Sequence, residues 1–416
     1  MHFPIKLTLI CLVFLPAWTA LGQNDTAENC RQIKALAGVV ATEKEGELVS
    51  VDLRKCPDNW VDSFPKLLKI LTLQSVAMTG PTATHERIVA LAALPNLKSL
   101  RIDLSLATDE TVVTISKFAK LEDLNLDGCL ISDAALSSIA GSMSIKRLRV
   151  AKTKISNLGL AHIKDLRQLE LLDISDCSNV NSSGLVHLQG LTKLRNLSLG
   201  GLGITDAGMP FLRNLTNMVA ISFKECSVTD ASFEALAGMT KLKEFDIFKT
   251  PAGDNALRIL SACSEMTKLK LRGSGVTNQG LIDHIAKFQS VTSIDLGETG
   301  TDDKALVAIS KLKNLEDLNL LRTKVTDAGI ASLTSLKLKR LNLDDIQAIG
   351  DGAVIHIAKM QSLEFLHLGK TSISDAGIQG LNPLVNLKDL ILNNTQVSEA
   401  AVKELQTKLP KIKIVR

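Results

Sequence analysis

Aromatic side chains are scarce in this sequence. It has no tyrosine and two tryptophans, and aromatic residues make up 3% of its 416 residues. A folded core must therefore be filled by aliphatic side chains. A dominant charge is missing as well, since 48 Lys and Arg residues stand against 44 Asp and Glu residues and leave a net charge of +4. This balance is too even to indicate, by itself, a surface that binds nucleic acid.

Motifs for catalysis and cofactor binding are also missing. We find no P-loop, nucleophile elbow or dinucleotide-binding fingerprint, and no metal-ligating residues at the short spacing of a zinc site. Aspartates are frequent, but they recur at one position of a repeated motif, which is too often for a catalytic role. The sequence therefore predicts a protein that is not an enzyme and that binds neither a cofactor nor a metal.

The longest hydrophobic run lies at the N-terminus. Residues 7–15 follow a single lysine, and Ala20 and Gly22 are the small residues before Gln23. These are the features of a cleaved secretory signal peptide. An uncleaved anchor is the alternative, although the run is short for a membrane span and a proline interrupts it. We predict a signal peptide over 1–22 and a secreted, periplasmic or cell-envelope location without a stable membrane span.

The rest of the chain repeats one motif. Each copy reads LxxLxL, as in LEDLNL at 315–320, and continues through a turn such as TDAGI at 326–330 into a segment with further spaced leucines. The copies begin at 48, 68, 97, 121, 145, 169, 194, 218, 242, 266, 291, 315, 338, 363 and 387. Most spacings are 23 to 25 residues, but the first is 20 and the second 29, which predicts an insertion at 79–82. A period of this kind indicates a repeat architecture, here of about 15 units.

Each copy has the pattern of a strand, a turn and a helix. LxxLxL buries alternate side chains of a short strand, and the segment after the turn has helical spacing. Thr and Asp at the turn are residues that accept hydrogen bonds from the first amides of a helix. One unit cannot bury its apolar face alone, so the units must stack. The predicted fold over 48–416 is an α/β solenoid, a curved arc with parallel strands on its concave face and helices on its convex face.

These motifs resemble those of the leucine-rich-repeat superfamily. Within it, the form LxxLxLxxTxITDAGL is similar to the cysteine-containing repeats associated with F-box proteins and to repeat proteins of planctomycete-like bacteria. The resemblance covers 48–416. It implies a ligand surface on the concave face, but no particular ligand. Because no F-box precedes the repeats, a ubiquitin-ligase substrate adaptor is the weaker alternative.

The segment 23–47, before the repeats, is predicted to be a capping helix. Asp25 and Glu28 resemble a capping box, and apolar residues at helical spacing continue towards Ala41. Such a helix would cover the first strand, since the terminal unit of a repeat array needs a cap.

Four of the seven cysteines share one position of the repeat. Cys56, Cys129, Cys177 and Cys226 each lie eight residues after the start of a unit, where several other units have threonine. The last three are two units apart, about 10 Å, which is too far for a disulfide. They are therefore predicted to be buried free thiols. Cys30, on the predicted capping helix, is close enough in the pattern to Cys56 that a disulfide between these two is an open alternative in an oxidising compartment.

The concave face is expected to carry the residues two, four and six positions after each unit start. Charges of opposite sign neighbour each other there, as Glu244 does Lys268, and Asp317 does Arg340. Such pairs neutralise one another and contribute little to stability, a few tenths to about 1 kcal/mol each. They argue against a groove for a polyanion.

Five side chains at these positions do not follow from the repeat, and we predict that they bind the ligand: Phe248, Arg272, Leu321, Phe365 and His367. Aromatic and arginine side chains are favoured anchors of protein interfaces. The alternative is that they are scattered surface hydrophobics of no special role.

Together these patterns predict a non-catalytic binding scaffold that recognises a protein or glycan through its concave face, and not a nucleic acid. A purely structural array of the cell envelope is a further alternative. The fold does not name the ligand.

Overall fold

The computed structural model describes residues 26–416, which divide into two compact units at Leu130 and Ile131. In the first unit, an antiparallel hairpin is followed by strands that pair in parallel, each with the next. The strands of this unit are β1 (Val40–Lys44), β2 (Glu47–Asp52), β3 (Ser75–Ala77), β4 (Ser99–Arg101) and β5 (Asp123–Asn125).

The second unit contains a parallel sheet in which the strands follow one another in chain order. Each strand has three residues, and in every strand but the last the middle residue is buried in the core. The strands are β6 (Arg147–Arg149), β7 (Leu171–Asp173), β8 (Asn196–Ser198), β9 (Ala220–Ser222), β10 (Glu244–Asp246), β11 (Lys268–Lys270), β12 (Ser293–Asp295), β13 (Asp317–Asn319), β14 (Arg340–Asn342), β15 (Phe365–His367), β16 (Asp389–Ile391) and β17 (Lys413–Val415).

Short helices alternate with the strands. Those of the first unit are α1 (26–34), α2 (Phe64–Leu67), α3 (His85–Ala90) and α4 (Asp109–Ile115), with 3₁₀ helices at Asp58–Ser63, Gly80–Thr82 and Leu91–Ala93. Those of the second unit are α5 (Asp133–Ile139), α6 (Asn157–Ile163), α7 (Asp254–Leu260), α8 (Asn278–His284), α9 (Asp303–Ile309), α10 (Asp327–Ile330), α11 (Asp351–Ile357), α12 (Asp375–Gln379) and α13 (Glu399–Lys408).

Between α6 and α7, three consecutive repeats have a seven-residue 3₁₀ helix where their neighbours have an α-helix: Ser182–Leu188, Asp206–Leu212 and Asp230–Leu236. Two shorter 3₁₀ helices follow later, at Ile285–Lys287 and Ala331–Ser335. The leucine spacing predicted helical segments at all these places and did not separate the two helix types.

The leucines of the motif form the core. Leu315, Leu318 and Leu320, at the LxxLxL positions of one repeat, are each 0% exposed. Some of the few aromatic residues join this core, where Phe233 packs edge-on between Phe223 and Phe245 with ring centroids 6.2 and 5.9 Å apart. The predicted α/β solenoid, with a parallel sheet on one side and helices on the other, is thus confirmed within each unit.

Aspartates at the helix starts join one repeat to the next. Oδ1 of Asp303 accepts the backbone N–H of Thr326 at 2.8 Å, and its Oδ2 accepts the Thr326 hydroxyl at 2.7 Å. The same carboxylate fills the space where a side chain on Gly329 would begin. This explains the Thr-Asp-Ala-Gly motif. The expectation that the aspartate caps its own helix is wrong here, because it binds the turn of the following repeat.

The Ser or Thr before the aspartate supplies the cap of its own helix in several repeats. The Ser374 side chain, for example, accepts the N–H of Ala376 at 3.2 Å and donates to Oδ2 of Asp351 at 2.6 Å. One hydroxyl therefore serves both the helix that it begins and the contact with the preceding repeat.

The second repeat begins at Leu73, and not at Leu68 as the spacing predicted. Ser75 of β3 lies opposite Ser50 of β2 and opposite Ser99 of β4. Neighbouring repeats are thus 25 and 24 residues apart here, and the predicted insertion is wrong. The leucines at 68 and 71 imitate the strand pattern by chance, but Leu71 is 54% exposed and belongs to the turn before β3.

The N-terminal cap is a short helix followed by a hairpin. α1 ends at residue 34, so the predicted helix over 23–47 is wrong beyond this point. β1 pairs with β2 in antiparallel fashion, with Val40 opposite Asp52, and occupies the edge that the helix was expected to cover. Asp25 and the predicted signal peptide, 1–22, lie outside the described residues.

Candidate functional site

The candidate site is the strand face, by which we mean the side chains two, four and six positions after the start of each repeat. Four of its positions were predicted to hold exposed apolar or aromatic anchors, but Phe248, Leu321, Phe365 and His367 are all half-buried. Arg272 is half-buried as well. Four of these five residues lie in two separate groups, and Leu321 lies in neither.

The first group is the Phe248 cluster, which consists of Phe248, Lys224, Lys249 and Arg272. Three cations surround the Phe248 ring: Nζ of Lys249 lies 5.2 Å from its centroid, Cζ of Arg272 5.6 Å and Nζ of Lys224 5.7 Å. These distances are those of cation–π interactions. Phe248 and Arg272 were predicted from the sequence, whereas the two lysines were not, because a lysine at the surface of a repeat is an ordinary residue.

The second group is the Phe365 cluster, which consists of Phe365, His367 and Arg340. The Arg340 guanidinium carbon lies 4.0 Å from the Phe365 ring centroid, and the His367 ring stacks on the same ring with centroids 6.5 Å apart. Nδ1 of His367 is 3.0 Å from Oδ1 of Asn342. Burial lowers the pKa of His367 below its ordinary value, and the nearby Asp344 carboxylate offsets part of this shift.

Leu321 belongs to neither cluster. Its side chain is half-buried, and its backbone carbonyl accepts the N–H of Glu298 at 2.7 Å. Its place in the repeat thus fixes its backbone, while its side chain lies between the two clusters along the strand face.

A shallow depression of about 310 Å³ lies beside the Phe365 cluster. Asp295 and Asp317 line it, together with Phe365 and Arg340. Burial raises the pKa of both aspartates, although Asn319 donates to Oδ1 of Asp295 at 2.8 Å. The depression therefore contains carboxylates whose charge is incompletely compensated.

A second depression, of about 220 Å³, lies over β7 to β11. Its floor is made by small strand-face residues on two neighbouring strands, Asn196 and Ser198 on β8, and Ala220 and Ser222 on β9. This depression was not predicted from the sequence, because small side chains do not stand out in the repeat pattern. The signal was present in the sequence as two successive repeats with short side chains at the positions two and four residues after the start.

The predicted charge pairs are confirmed across neighbouring strands. Nζ of Lys268 lies 2.8 Å from Oε1 of Glu244, and Nε of Arg340 lies 3.9 Å from Oδ2 of Asp317. All four side chains are 43–52% exposed, so water screens these pairs and each contributes at most about 1 kcal/mol.

The cysteines of the repeat are buried free thiols, as predicted for Cys129, Cys177 and Cys226. Each thiol donates to a backbone carbonyl of the preceding repeat, as Cys177 does to Val150 at 3.2 Å. Burial raises the pKa of Cys226 to about 11. Cys30 and Cys56 are half-buried and are also free thiols in the structure, without the disulfide left open by the sequence.

Within residues 26–416, no three His, Cys, Asp or Glu side chains are grouped so as to hold a metal ion. In the same part of the chain, every helix is too short or too polar to cross a bilayer.

Known structures share this fold. The leucine-rich-repeat ectodomain of the Arabidopsis receptor kinase HAESA, in complex with an extended IDA peptide hormone, is 15% identical with a TM-score of 0.53 over 94% of this chain and 77% of that one. The functional domain of InlJ from Listeria monocytogenes, which includes a cysteine ladder, is 15% identical with a TM-score of 0.50 over 88% and 71%. An internalin, InlF, from the same species is 18% identical over 94% of both chains, with a TM-score of 0.49.

No protein-family model matches the sequence, and the comparison with curated proteins gives no match either. At identities of 15%, the structural likeness establishes the architecture and leaves the ligand open. The parallel sheet with its helices is similar to the HAESA and InlJ structures over most of the chain, and the chain therefore has the leucine-rich-repeat fold.

Proposed function

We propose that this protein is a non-catalytic scaffold, exported from the cytoplasm, that binds a protein or peptide through its strand face. One observation carries the proposal. The helix starts repeat the same contacts from unit to unit, whereas the strand face carries two different aromatic–cation clusters and two depressions. A surface that differs in each repeat can encode a specific partner, and a uniform one cannot.

The character of the two clusters supports protein recognition. Phe248 and Phe365 are half-buried aromatic rings held by cations, so little conformational entropy remains to be lost when a partner covers them. Aromatic and arginine side chains dominate the energetics of protein interfaces. The peptide hormone in the HAESA complex is a further support, since that protein also binds with a leucine-rich-repeat ectodomain.

The test begins with chemical cross-linking of the exported chain in its native extract, followed by identification of the partner by mass spectrometry. Binding of the purified partner is then titrated against variants. We expect Phe248→Ala or Phe365→Ala to weaken the association by about 1–2 kcal/mol, as the truncation of an interface anchor does.

Ile355→Ala and Val307→Ala are the matched controls. Both residues are exposed and apolar, at 66% and 57%, and both lie on helices rather than on the strand face. A partner that loses affinity for these controls, but not for the phenylalanine variants, would place the binding surface on the helix side and refute the proposal.

Export is tested separately. The predicted signal peptide, 1–22, should be absent from protein recovered outside the cytoplasm, and N-terminal sequencing should begin at or near Gln23. Recovery of a chain that still begins at Met1 would contradict export by this route.

A further inference from the structure

The Phe248 cluster is unusual in how its cations are held. Glycines of the strand face and its turns leave the space in which the three cationic side chains lie. A Cβ on each glycine would first meet the stem of a cation: 3.3 Å from Lys224 at Gly200, 3.1 Å from Lys249 at Gly273, and 3.3 Å from Arg272 at Gly297. The aliphatic stems thus pack on backbone while the charged ends extend towards the Phe248 ring.

One carboxylate of the chain already shows how this cluster binds an anion. Oε1 of Glu298 accepts from Arg272 at 2.5 Å. This hydrogen bond lowers the pKa of Glu298, and the charges of Arg272, Lys249 and Arg322 add to the effect. The electrostatic field at the cluster therefore favours negative charge.

The two lysines are left with little compensation. Nζ of Lys224 has only Glu225, its neighbour in sequence, at 4.0 Å. Lys249 makes no ion pair within 4 Å with any acidic side chain among residues 26–416. Both ammonium groups are nevertheless held beside the same aromatic ring. They are consequently available to a carboxylate from outside the chain.

The neighbouring depression indicates what carries that carboxylate. Lys224 lies two residues after the end of β9, and β9 supplies Ala220 and Ser222 to the floor of the depression over β7 to β11. Three acidic and three basic residues also line this depression, so its charges balance: Asp173, Glu244, Asp246, Arg149, Lys268 and Lys270. An extended peptide can lie over the small side chains of the floor and reach the cluster with one acidic side chain of its own.

We infer that the Phe248 cluster is the docking point for an acidic segment of a protein partner, with a ligand carboxylate bound by Lys224 and Lys249 beside the Phe248 ring. This inference rests on the proposed function, because it gives the chemistry of the partner that the strand face binds. The predicted pairing of opposite charges between neighbouring repeats includes Arg272, which pairs with Glu298, but does not extend to Lys224 and Lys249.

The experiment uses a fluorescein-labelled hexaglutamate peptide as its probe and measures fluorescence anisotropy with the full exported chain at low ionic strength. We expect binding that weakens as salt is added. The double variant Lys224→Gln/Lys249→Gln should bind about tenfold more weakly, and Phe248→Leu, which keeps the apolar contact but removes the ring, about threefold more weakly.

The control is the double variant Lys304→Gln/Lys359→Gln, which makes the same change in net charge on exposed lysines of the helix side. An equal loss of binding in the control would mean attraction by net charge alone and would overturn the inference. So would equal or tighter binding of hexalysine. Displacement of the probe by an equal concentration of inorganic phosphate would show a small-anion site and would overturn the assignment to an acidic peptide.

The failure of this inference can be told apart from the failure of the proposed function. If the cross-linked partner binds the lysine variants normally but loses affinity for Phe365→Ala, the strand face binds a protein and only the acidic docking point is wrong. If the hexaglutamate results hold but no partner depends on either phenylalanine, the anion preference is real and the scaffold function is wrong.

Discussion

Asp206 at a helix start differs from Asp295 and Asp317 on the strand face in how the protein treats the charge of its carboxylate. At a helix start, Asp206 accepts the N–H of Thr229 at 2.8 Å and its hydroxyl at 2.6 Å. Burial alone would raise the pKa of Asp206, but these hydrogen bonds lower it below its ordinary value. On the strand face, burial raises the pKa of Asp295 and Asp317.

The difference shows which side of the molecule is committed to folding. The following repeat stabilises the charged form of Asp206, which therefore belongs to the contact between repeats. Burial disfavours the charged forms of Asp295 and Asp317, so these carboxylates do not serve stability, and a ligand can still neutralise their charge.

Gly329→Ala should destabilise the protein by about 2 kcal/mol, because the new Cβ would collide with the Asp303 carboxylate and displace it from Thr326. The measurement is the free energy of unfolding in urea. Gly300→Ala is the matched control, since no atom lies within 4 Å of its added Cβ. Equal effects of the two changes would show that the contact between repeats is not where the structure places it.

Asp206→Ala should cost about 1–3 kcal/mol, because it leaves the N–H of Thr229 without its acceptor. Asp317→Ala on the strand face should change the stability by less than about 0.5 kcal/mol, since its pair with Arg340 at 3.9 Å is weak and exposed to water. Thermal unfolding of both variants beside the wild type measures the difference. A larger loss of stability for Asp317→Ala than for Asp206→Ala would contradict the difference between the two faces.

The contributions of Asp206 and Asp295 to the free energy of unfolding should depend on pH with opposite sign. The pKa of Asp206 is lowered in the folded state from 3.8, so its contribution to stability is present above that pH and is lost as the pH falls through the folded value. The pKa of Asp295 is raised from 3.8, so its ionised form opposes folding, and this penalty disappears on acidification.

Replacing each aspartate by the uncharged asparagine tests these two pH dependences. Asp206→Asn should destabilise the protein at neutral pH and become equal to the wild type in acid, whereas Asp295→Asn should stabilise it slightly at neutral pH and lose that gain in acid. Urea unfolding as a function of pH measures both. Parallel profiles for the two variants would contradict the opposite shifts of pKa.

The smallest effect concerns the thiols beneath the strand face. Cys129, Cys177 and Cys226 are buried, and burial raises the pKa of Cys129 and Cys226, so all three should be protected from a thiol reagent in the folded protein. They should react when the protein is denatured without reductant. A mass-mapped disulfide between any two of them would contradict the register of the repeats. Rapid labelling without denaturant would show that the strand side opens easily.

Much of this fold could be predicted from the sequence, because the solenoid depends on a pattern that repeats. The register failed at Leu68, where leucines in a turn imitate LxxLxL, while the true strand uses Val76 and Met78 at the buried positions. A hydrophobic pattern records which residues are apolar. It does not record which of two overlapping frames can pair with the neighbouring strand, and only the backbone hydrogen bonds of β3 decide that.

The candidate site was predictable only in part, for a related reason. Phe248 and Phe365 stand out because they break the repeat, but the cations beside them are residues that any repeat can carry. Their arrangement depends on rotamers and on glycines in neighbouring turns, such as Gly273, whose absent side chain leaves room for Lys249. Contacts between side chains at different positions of neighbouring repeats do not recur from repeat to repeat, so no sequence pattern reveals them.

The aspartate contacts between repeats also give the second unit a direction. From Asp133 with Ser156 to Asp375 with Ser398, the side chain at this position accepts the amide of the repeat that follows; it is a carboxylate in most repeats and Asn157, Ser182 or Asn278 in the others. Loss of a repeat therefore has unequal consequences for its two neighbours. The repeat before it exchanges an amide partner for water, at little cost to an exposed carboxylate, whereas the repeat after it loses the acceptor that fixes the start of its helix. Local unfolding that follows the loss of a repeat should therefore spread towards the C-terminus and not towards the N-terminus.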